Sequence, residues 1–282
     1  MVDVVEEQDL RASAVSKVVT GFALQEYRMK QLCMIQSSKA WTEQYYSETA
    51  TELKAGGEIN VKGVPRLANF PYGEVSWTLE SGRNVKHAME GVISWEDVKT
   101  NAIDVIARTL LRIARAVASS VDTVISAAII SAAGSTITPG GDWDDAIVAD
   151  RDPIQDILDA KAAIAVANYN PDNNGFLVVH PTDFAHLLGN ANIRNAGQFY
   201  TADVTKNGKV GRLCGLTIIS TNSATENSAQ VVVAKEACTW KSVAGLTVKT
   251  IEDPGIKYTI RAFEVGQIQV TNPDAIANIT PV

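Results

Sequence analysis

Histidine and cysteine are scarce in this chain, with three of each among 282 residues. Cys33, Cys214 and Cys238 are odd in number, widely spaced and never arranged as C-x-x-C, so neither a disulfide framework nor a thiolate metal site is indicated. They read as buried thiols in a reducing compartment. Basic charge is also in deficit: 25 Lys and Arg against 32 Asp and Glu leave a net charge of −7 and a pI near 5.1. That balance argues against a dedicated sequence-specific nucleic-acid binder, whose footprint is basic, and leaves only weak contact of one face open. The start, Met1-Val2-Asp3-Val4-Val5-Glu6-Glu7, lacks the basic n-region and apolar run of a signal peptide. The most apolar stretch, Val117 to Ala133, is broken by Ser119, Ser120, Asp122, Thr123, Ser126 and Ser131, and no membrane segment is expected. Fixed-period repeats and low-complexity tracts are missing too, which removes solenoids and propellers.

Catalytic signatures are equally absent. There is no G-x-S-x-G, no G-x-x-x-x-G-K-[ST] and no H-E-x-x-H, and the phrase Gly208-Lys209-Val210-Gly211-Arg212-Leu213-Cys214-Gly215 has the wrong spacing for G-x-G-x-x-G. His180, Asp183 and His186 form H-x-x-D-x-x-H, the best metal candidate, around which a metal-dependent hydrolase could be imagined. His180, however, falls at a strand end before the helix that holds the other two, and no third ligand of an obvious kind is near, so the trio is read as structural. No catalytic, cofactor-binding or metal residue is assigned, no cofactor is expected, and the chain is not expected to be an enzyme.

What is present is a mixed, α+β order of elements in a chain long enough for two lobes, 46% apolar and 20% charged, with a mean hydropathy of +0.01. Residues 1 to about 40 are loosely helical, through Val4, Val5, Leu10, Ala14, Val18, Leu24 and Tyr27. From Trp41 to Gly91 glycine and proline punctuate alternating runs such as Glu58 to Lys62 and Glu74 to Leu79, a long two-stranded excursion. A hairpin of that size buries little by itself, so it either packs on its own domain or lies on something else. Ser94 and Asp97 then cap one long helix, read as Trp95 to Ser131, with apolar residues recurring from Val98 to Ala128; it serves as a spine. Arg108, Arg112 and Arg115 share one face of it, with Asp104 placed to pair with Arg108. That stripe is either a solvated, ion-paired face or a contact to a subunit or to nucleic acid.

Asp152-Pro153 opens a second helix that ends by Gly175, Phe176 to Val179 is a short buried strand, and Pro181-Thr182 restarts a helix closed by Gly189 as its C-cap. After a polar stretch from Asn190 to Gly211, strands are expected at Leu216–Ser220, Gln230–Ala234, Leu246–Ile251, Tyr258–Phe263 and Gln267–Val270.

This order resembles the capsid fold of the Hong Kong 97-type phages. Phe176-Leu177-Val178-Val179-His180-Pro181-Thr182-Asp183 resembles that family's strand followed by a P-x-D/T helix entry, and Gly211 to Ser220 is similar to its "lGlpvivs" strand. Tyr258 to Gly266 and Val270-Thr271-Asn272-Pro273-Asp274-Ala275 look like its R-x-x-x-R-x-G-x-x-v-x-x-P-x-A ending, with Glu264 in place of the second basic residue. The resemblance implies a major capsid protein with an N-terminal arm (1–40), an extended β-hairpin loop (41–92), a peripheral domain with the spine helix (93–149 and 246–270) and an α/β axial domain (150–245 and 271–282). It also implies pentamers and hexamers closing an icosahedral shell around double-stranded DNA in a virion assembled in the host cytoplasm.

On that reading the inter-subunit contact candidates are Leu10 and Phe22 on the arm, Ile59, Val61, Val75, Trp77 and Leu79 on the loop, and Arg108, Arg112 and Arg115 on the spine. Other expected partners are a portal, a decoration protein in some cases, and packaged DNA by non-specific contact; an arm beginning at Met1 leaves no room for a long cleaved scaffolding segment, so a separate scaffolding protein is expected, or none is used. Some relatives crosslink a loop lysine to a neighbour's asparagine; Lys54 and Lys62 lie in the corresponding region, without a matching asparagine or catalytic carboxylate. An encapsulin-like nanocompartment shell around a cargo enzyme is the alternative with the same fold.

Overall fold

The computed structural model describes residues 12–48, 64–69, 77–100, 105–145, 147, 150–190, 193 and 212–282. The first element, α1 (Ala12–Glu26), buries Val15, Val19 and Ala23 completely, a stripe at i, i+4, i+8. That stripe packs against Leu110, Ile113, Ala114 and Val117 of the spine and against Ile93, Ile260 and Ala262 of a sheet. Burying each valine contributes about 1.5–3 kcal/mol, so the arm helix is held by its apolar face and not by helix propensity.

The spine begins as the sequence pattern requires: the Asp97 N–H donates to Ser94 Oγ at 3.0 Å at the start of α2 (Trp95–Thr100). Instead of one described helix from Trp95, α2 is followed by α3 (Val105–Ser131), 27 residues, or about 40 Å at 1.5 Å per residue; residues 101–104 lie outside the described set. The serines do not stop α3 from being long and apolar enough to cross a membrane by length and composition, contrary to the expectation. The reason is that Ser126 and Asp122 lie on its buried face among Val121, Ile125 and Ile129, where they serve the core of a folded protein. The N-terminal half of α3 belongs to the core shared with α1; its C-terminal half belongs to a second, larger core. One helix therefore joins two cores.

Two sheets flank this helix. The four-stranded sheet has the order β1 (Met34–Ser37), β10 (Cys238–Asp253), β11 (Lys257–Val270), β4 (Val85–Ser94). β10 and β11 form a long antiparallel hairpin, registered from Cys238↔Val270 to Asp253↔Lys257. The three shorter strands expected here, Leu246–Ile251, Tyr258–Phe263 and Gln267–Val270, are thus parts of two long ones. Gly266 does not break β11; a Cβ there would fall 2.6 Å from Trp240 Cζ2 and 2.7 Å from the Lys241 carbonyl oxygen, so glycine lets the indole lie on the strand. β4, which begins within the span expected for the extended loop (41–92) and runs two residues past it, pairs with β11 from Val85↔Gly266 to Ser94↔Lys257.

The six-stranded sheet has the order β5 (Ser135–Ile137), β12 (Ile276–Ile279), β9 (Ala229–Val233), β6 (Gly175–Val179), β8 (Leu216–Ser220), β7 (Arg212–Leu213). α4 (Pro153–Val166) packs on it through Ile157, Ala160 and Ile164, and Asp152 caps it by accepting from the Gln155 N–H at 3.2 Å. A short α5 (Pro171–Asn174) precedes β6. The helix after β6, α6 (Pro181–Gly189), ends at an extended Asn190 cap, so Gly189 is its last helical residue and not a left-handed cap. β7 and β8 join through Cys214 and Gly215, both at positive φ (50° and 83°), the two-residue turn that suits a tight hairpin.

Candidate functional site

The arm ends in a polar anchor that the sequence pattern does not reveal. A 3₁₀ turn, Met29–Leu32, buries Met29 and Leu32 and follows Tyr27. Opposite it, the Glu264 side chain on β11 is 0% exposed. Its carboxylate accepts from Tyr27 Oη at 2.5 Å, from Trp240 Nε1 at 3.2 Å and from the Lys30 ammonium. Lys30 Nζ also sits over the Tyr27 ring, 4.4 Å from its centroid. From the other side, the Arg28 N–H donates to Asp122 Oδ2 of the spine at 2.7 Å, with the Met29 and Lys30 amides directed at the same carboxylate. Burial raises the Asp122 pKa against those amides, and burial with the neighbouring Glu264 raises that of Tyr27. The arm root is thus fixed to sheet and spine through buried, charge-assisted bonds.

The loop is fixed at its base. β2 (Thr42–Glu48) pairs antiparallel with β3 (Trp77–Arg83), from Thr42↔Arg83 to Glu48↔Trp77. At the root, the Asn84 N–H donates to the Trp41 carbonyl at 2.9 Å, and Asn84 Nδ2 donates to the Ala40 carbonyl at 2.7 Å. Gln269 Nε2 of β11 donates to Glu43 Oε2 at 3.2 Å. Beyond this base, Tyr46 and Leu79 face each other across the ladder and are 60% and 52% exposed. A rigid base therefore carries an apolar cross-strand pair into solvent.

Of the sequence-predicted contact residues, Leu79 is on this exposed strand, and Trp77 is placed as the first residue of β3, opposite Glu48. Phe22 is half-buried and packs on the arm's own core. Leu10, Ile59, Val61 and Val75 lie outside the described residues, as do Lys54, Lys62 and Asp104. Arg108, Arg112 and Arg115 are exposed along one face of α3. Arg115 Nε pairs with Glu26 Oε1 of α1 at 2.8 Å; Arg108 and Arg112 have no ion pair among the described residues. Among the described residues, then, Arg115 steadies the arm, and Arg108 and Arg112 are exposed on the same helix face.

The histidine phrase is dispersed. His180 caps α6, its Nδ1 accepting from the Thr182 N–H at 3.4 Å. Asp183 is buried beside the Asn227 and Ser228 amides, and burial raises its pKa against them. Among the described residues no group of three or more His, Cys, Asp or Glu side chains is placed to hold a metal ion. Two cysteines, by contrast, meet: Cys33 and Cys238 Sγ are 3.2 Å apart. Neither this pair nor the Glu264 anchor carries a local sequence signal: Cys33, Tyr27 and Lys30 lie more than two hundred positions from their partners, and Trp240 lies 24 positions from Glu264.

With this geometry in place, the comparisons with known proteins are consistent in kind. A protein-family model described as phage capsid protein matches residues 85–279. No curated protein matches the chain in sequence. Among solved structures, a virus-like particle from Pyrococcus furiosus aligns with a TM-score of 0.66 at 11% identity over 95% of this chain and 98% of the other. The capsid of cyanophage P-SCSP1u aligns with a TM-score of 0.66 at 14% identity over 89% and 86%, and Mycobacterium phage Che8 with 0.62 at 19% over 86% and 85%. At such identities the structures establish the fold, and the family model, spanning more than half the chain, establishes the kinship. The chain belongs to the phage capsid protein family and has the Hong Kong 97-type capsid fold.

Proposed function

We propose that this chain is a major capsid protein that assembles into pentamers and hexamers and closes an icosahedral shell around double-stranded DNA. The observation that carries the reading is the β2–β3 excursion: Asn84 joins its two strands at the root and Gln269 ties it to β11, and Leu79 on it is 52% exposed. An apolar side chain exposed on such a strand offers a contact surface, and a second copy of the chain covers it in a shell of identical subunits. Each such contact contributes roughly 25 cal/mol per Å² buried, and repetition over many subunits closes the shell. The reading is structural, with no reaction assigned to any residue.

On this reading Leu79, together with Trp77, Val75, Ile59 and Val61, lies across a neighbouring subunit, and Leu10 and Phe22 belong to the arm contact. Arg108 and Arg112 face a neighbour or packaged DNA, which they contact without sequence preference. The capsid resides in the virion, is assembled in the host cytoplasm, and works with a portal. An encapsulin-like nanocompartment shell shares the fold, and the contents of the particle separate the two. Particles purified after nuclease treatment should hold protected double-stranded DNA. A protein cargo with no nucleic acid would replace the viral reading with the nanocompartment one.

A further inference from the structure

Cys33 and Cys238 are 205 positions apart in sequence, and their Sγ atoms are 3.2 Å apart. Both are buried, at 3% and 0% exposure. Cys33 immediately precedes β1 and Cys238 opens β10; the parallel register begins one step later at Met34↔Thr239, so the two cysteines face each other across the ladder. Adjacent strands run about 4.8 Å apart, inside the Cα separation of about 4.4–6.8 Å that a disulfide spans. A disulfide needs the sulfurs at about 2.05 Å, a closure of about 1.2 Å from their 3.2 Å separation. Cys33 also lines a surface cleft of about 580 Å³, with Lys30, Met34, Phe176 and Lys235 around it, which admits a small reagent. β1 is moreover an edge strand of four residues, the kind of element that opens locally at low free-energy cost.

We propose that Cys33 and Cys238 are an oxidative crosslinking site, which a small-molecule disulfide of the glutathione class converts to an intramolecular disulfide tying the arm root to β10. In the first step the Cys33 thiolate attacks one sulfur of the reagent, and the other leaves as a thiolate. In the second the Cys238 thiolate attacks Cys33 Sγ of the mixed disulfide and expels the second reagent thiolate. The two cysteine protons end on the two released thiols, the protein pair is oxidised by two electrons, and the reagent is reduced by two. Contact with Cys238 and burial raise the Cys33 pKa, so thiolate is scarce at neutral pH; the reaction is slow there and faster in alkali. The pair remains reduced in a reducing cytoplasm and closes in an oxidising medium. None of this depends on whether the shell encloses DNA or a protein.

The test uses the full chain. Purified protein is incubated with oxidised glutathione at mildly alkaline pH, its remaining thiols are blocked under denaturing conditions, and unreduced digests are mapped by mass spectrometry. One linked peptide pair joining Cys33 to Cys238, lighter by two hydrogens than the separate peptides, is expected. The Tm should rise by about 5–15 °C, because the closed loop is long, and dithiothreitol should reverse the rise. Cys214→Ser should leave both results intact, and Cys33→Ser should abolish them. Two blocked free thiols, glutathione retained on Cys33 without a link, a link through Cys214, or a link without a change in Tm would each overturn the proposal. If Cys33→Ser fails to fold, the maps of the wild type and of Cys214→Ser decide the matter.

Discussion

Glu264 is the residue on which the arm's attachment depends. Its carboxylate is fully buried, and Lys30, Tyr27 and Trp240 all converge on it. Glu264→Ala leaves the Lys30 ammonium largely buried without its counter-charge, and the expected loss is about 3–5 kcal/mol in chemical denaturation; a loss below about 1 kcal/mol would show that the anchor is solvated. Arg115→Ala, in contrast, removes an exposed pair with Glu26 and should cost less than about 1 kcal/mol. Asp183 gives a pH signature. Burial raises its folded pKa, so between the unfolded value of about 4 and the folded value the folded state holds more protons. That contribution to stability is fully present below the unfolded value and is lost as pH rises through the folded one. Asp183→Asn should therefore gain in Tm relative to the wild type as pH is raised from about 4 to 7; parallel profiles would contradict this. Of these roles the ion-paired face at Arg115 and a structural Asp183 were among the sequence readings, while the Glu264 anchor was not legible. Glu264 stands where the resembling motif has a basic residue, and its partners lie 237, 234 and 24 positions away, beyond the reach of local pattern.

Elements were legible where their signal is local. The spine's apolar recurrence and its Ser94 cap lead directly to α2 and α3, and Asp152-Pro153 leads to α4. The strands after Leu246 were divided too finely because Glu264 and Gly266 look like interruptions; tertiary partners, the Lys30 anchor and the Trp240 indole, allow β11 to run through them. The join of α5 to β6 tests the packing of the larger lobe. A Cβ on Gly175 would fall 2.0 Å from the Pro171 carbonyl oxygen, backbone that cannot swing aside as a side chain does. Gly175→Ala should cost about 3 kcal/mol or more, read as a lowered denaturation midpoint. At the loop, Leu79→Asp changes an exposed strand position, so far-UV circular dichroism and Tm should stay close to wild type while particle formation is lost. Normal particles from this variant would remove Leu79 from the contact.

At the scale of the whole molecule, one helix links the two cores, the arm helix is packed into one of them, and the base of the loop is bonded to the body. Holding the described base of the loop fixed lowers the entropy that a subunit loses on joining a neighbour through it. On the proposed reading this geometry is that of a self-assembling shell subunit, which is tested most directly by negative-stain electron microscopy of the purified, concentrated protein together with size-exclusion chromatography. Closed shells, or rings of five and six subunits, are the expected result; a clean monomer or dimer at every salt and protein concentration would contradict it.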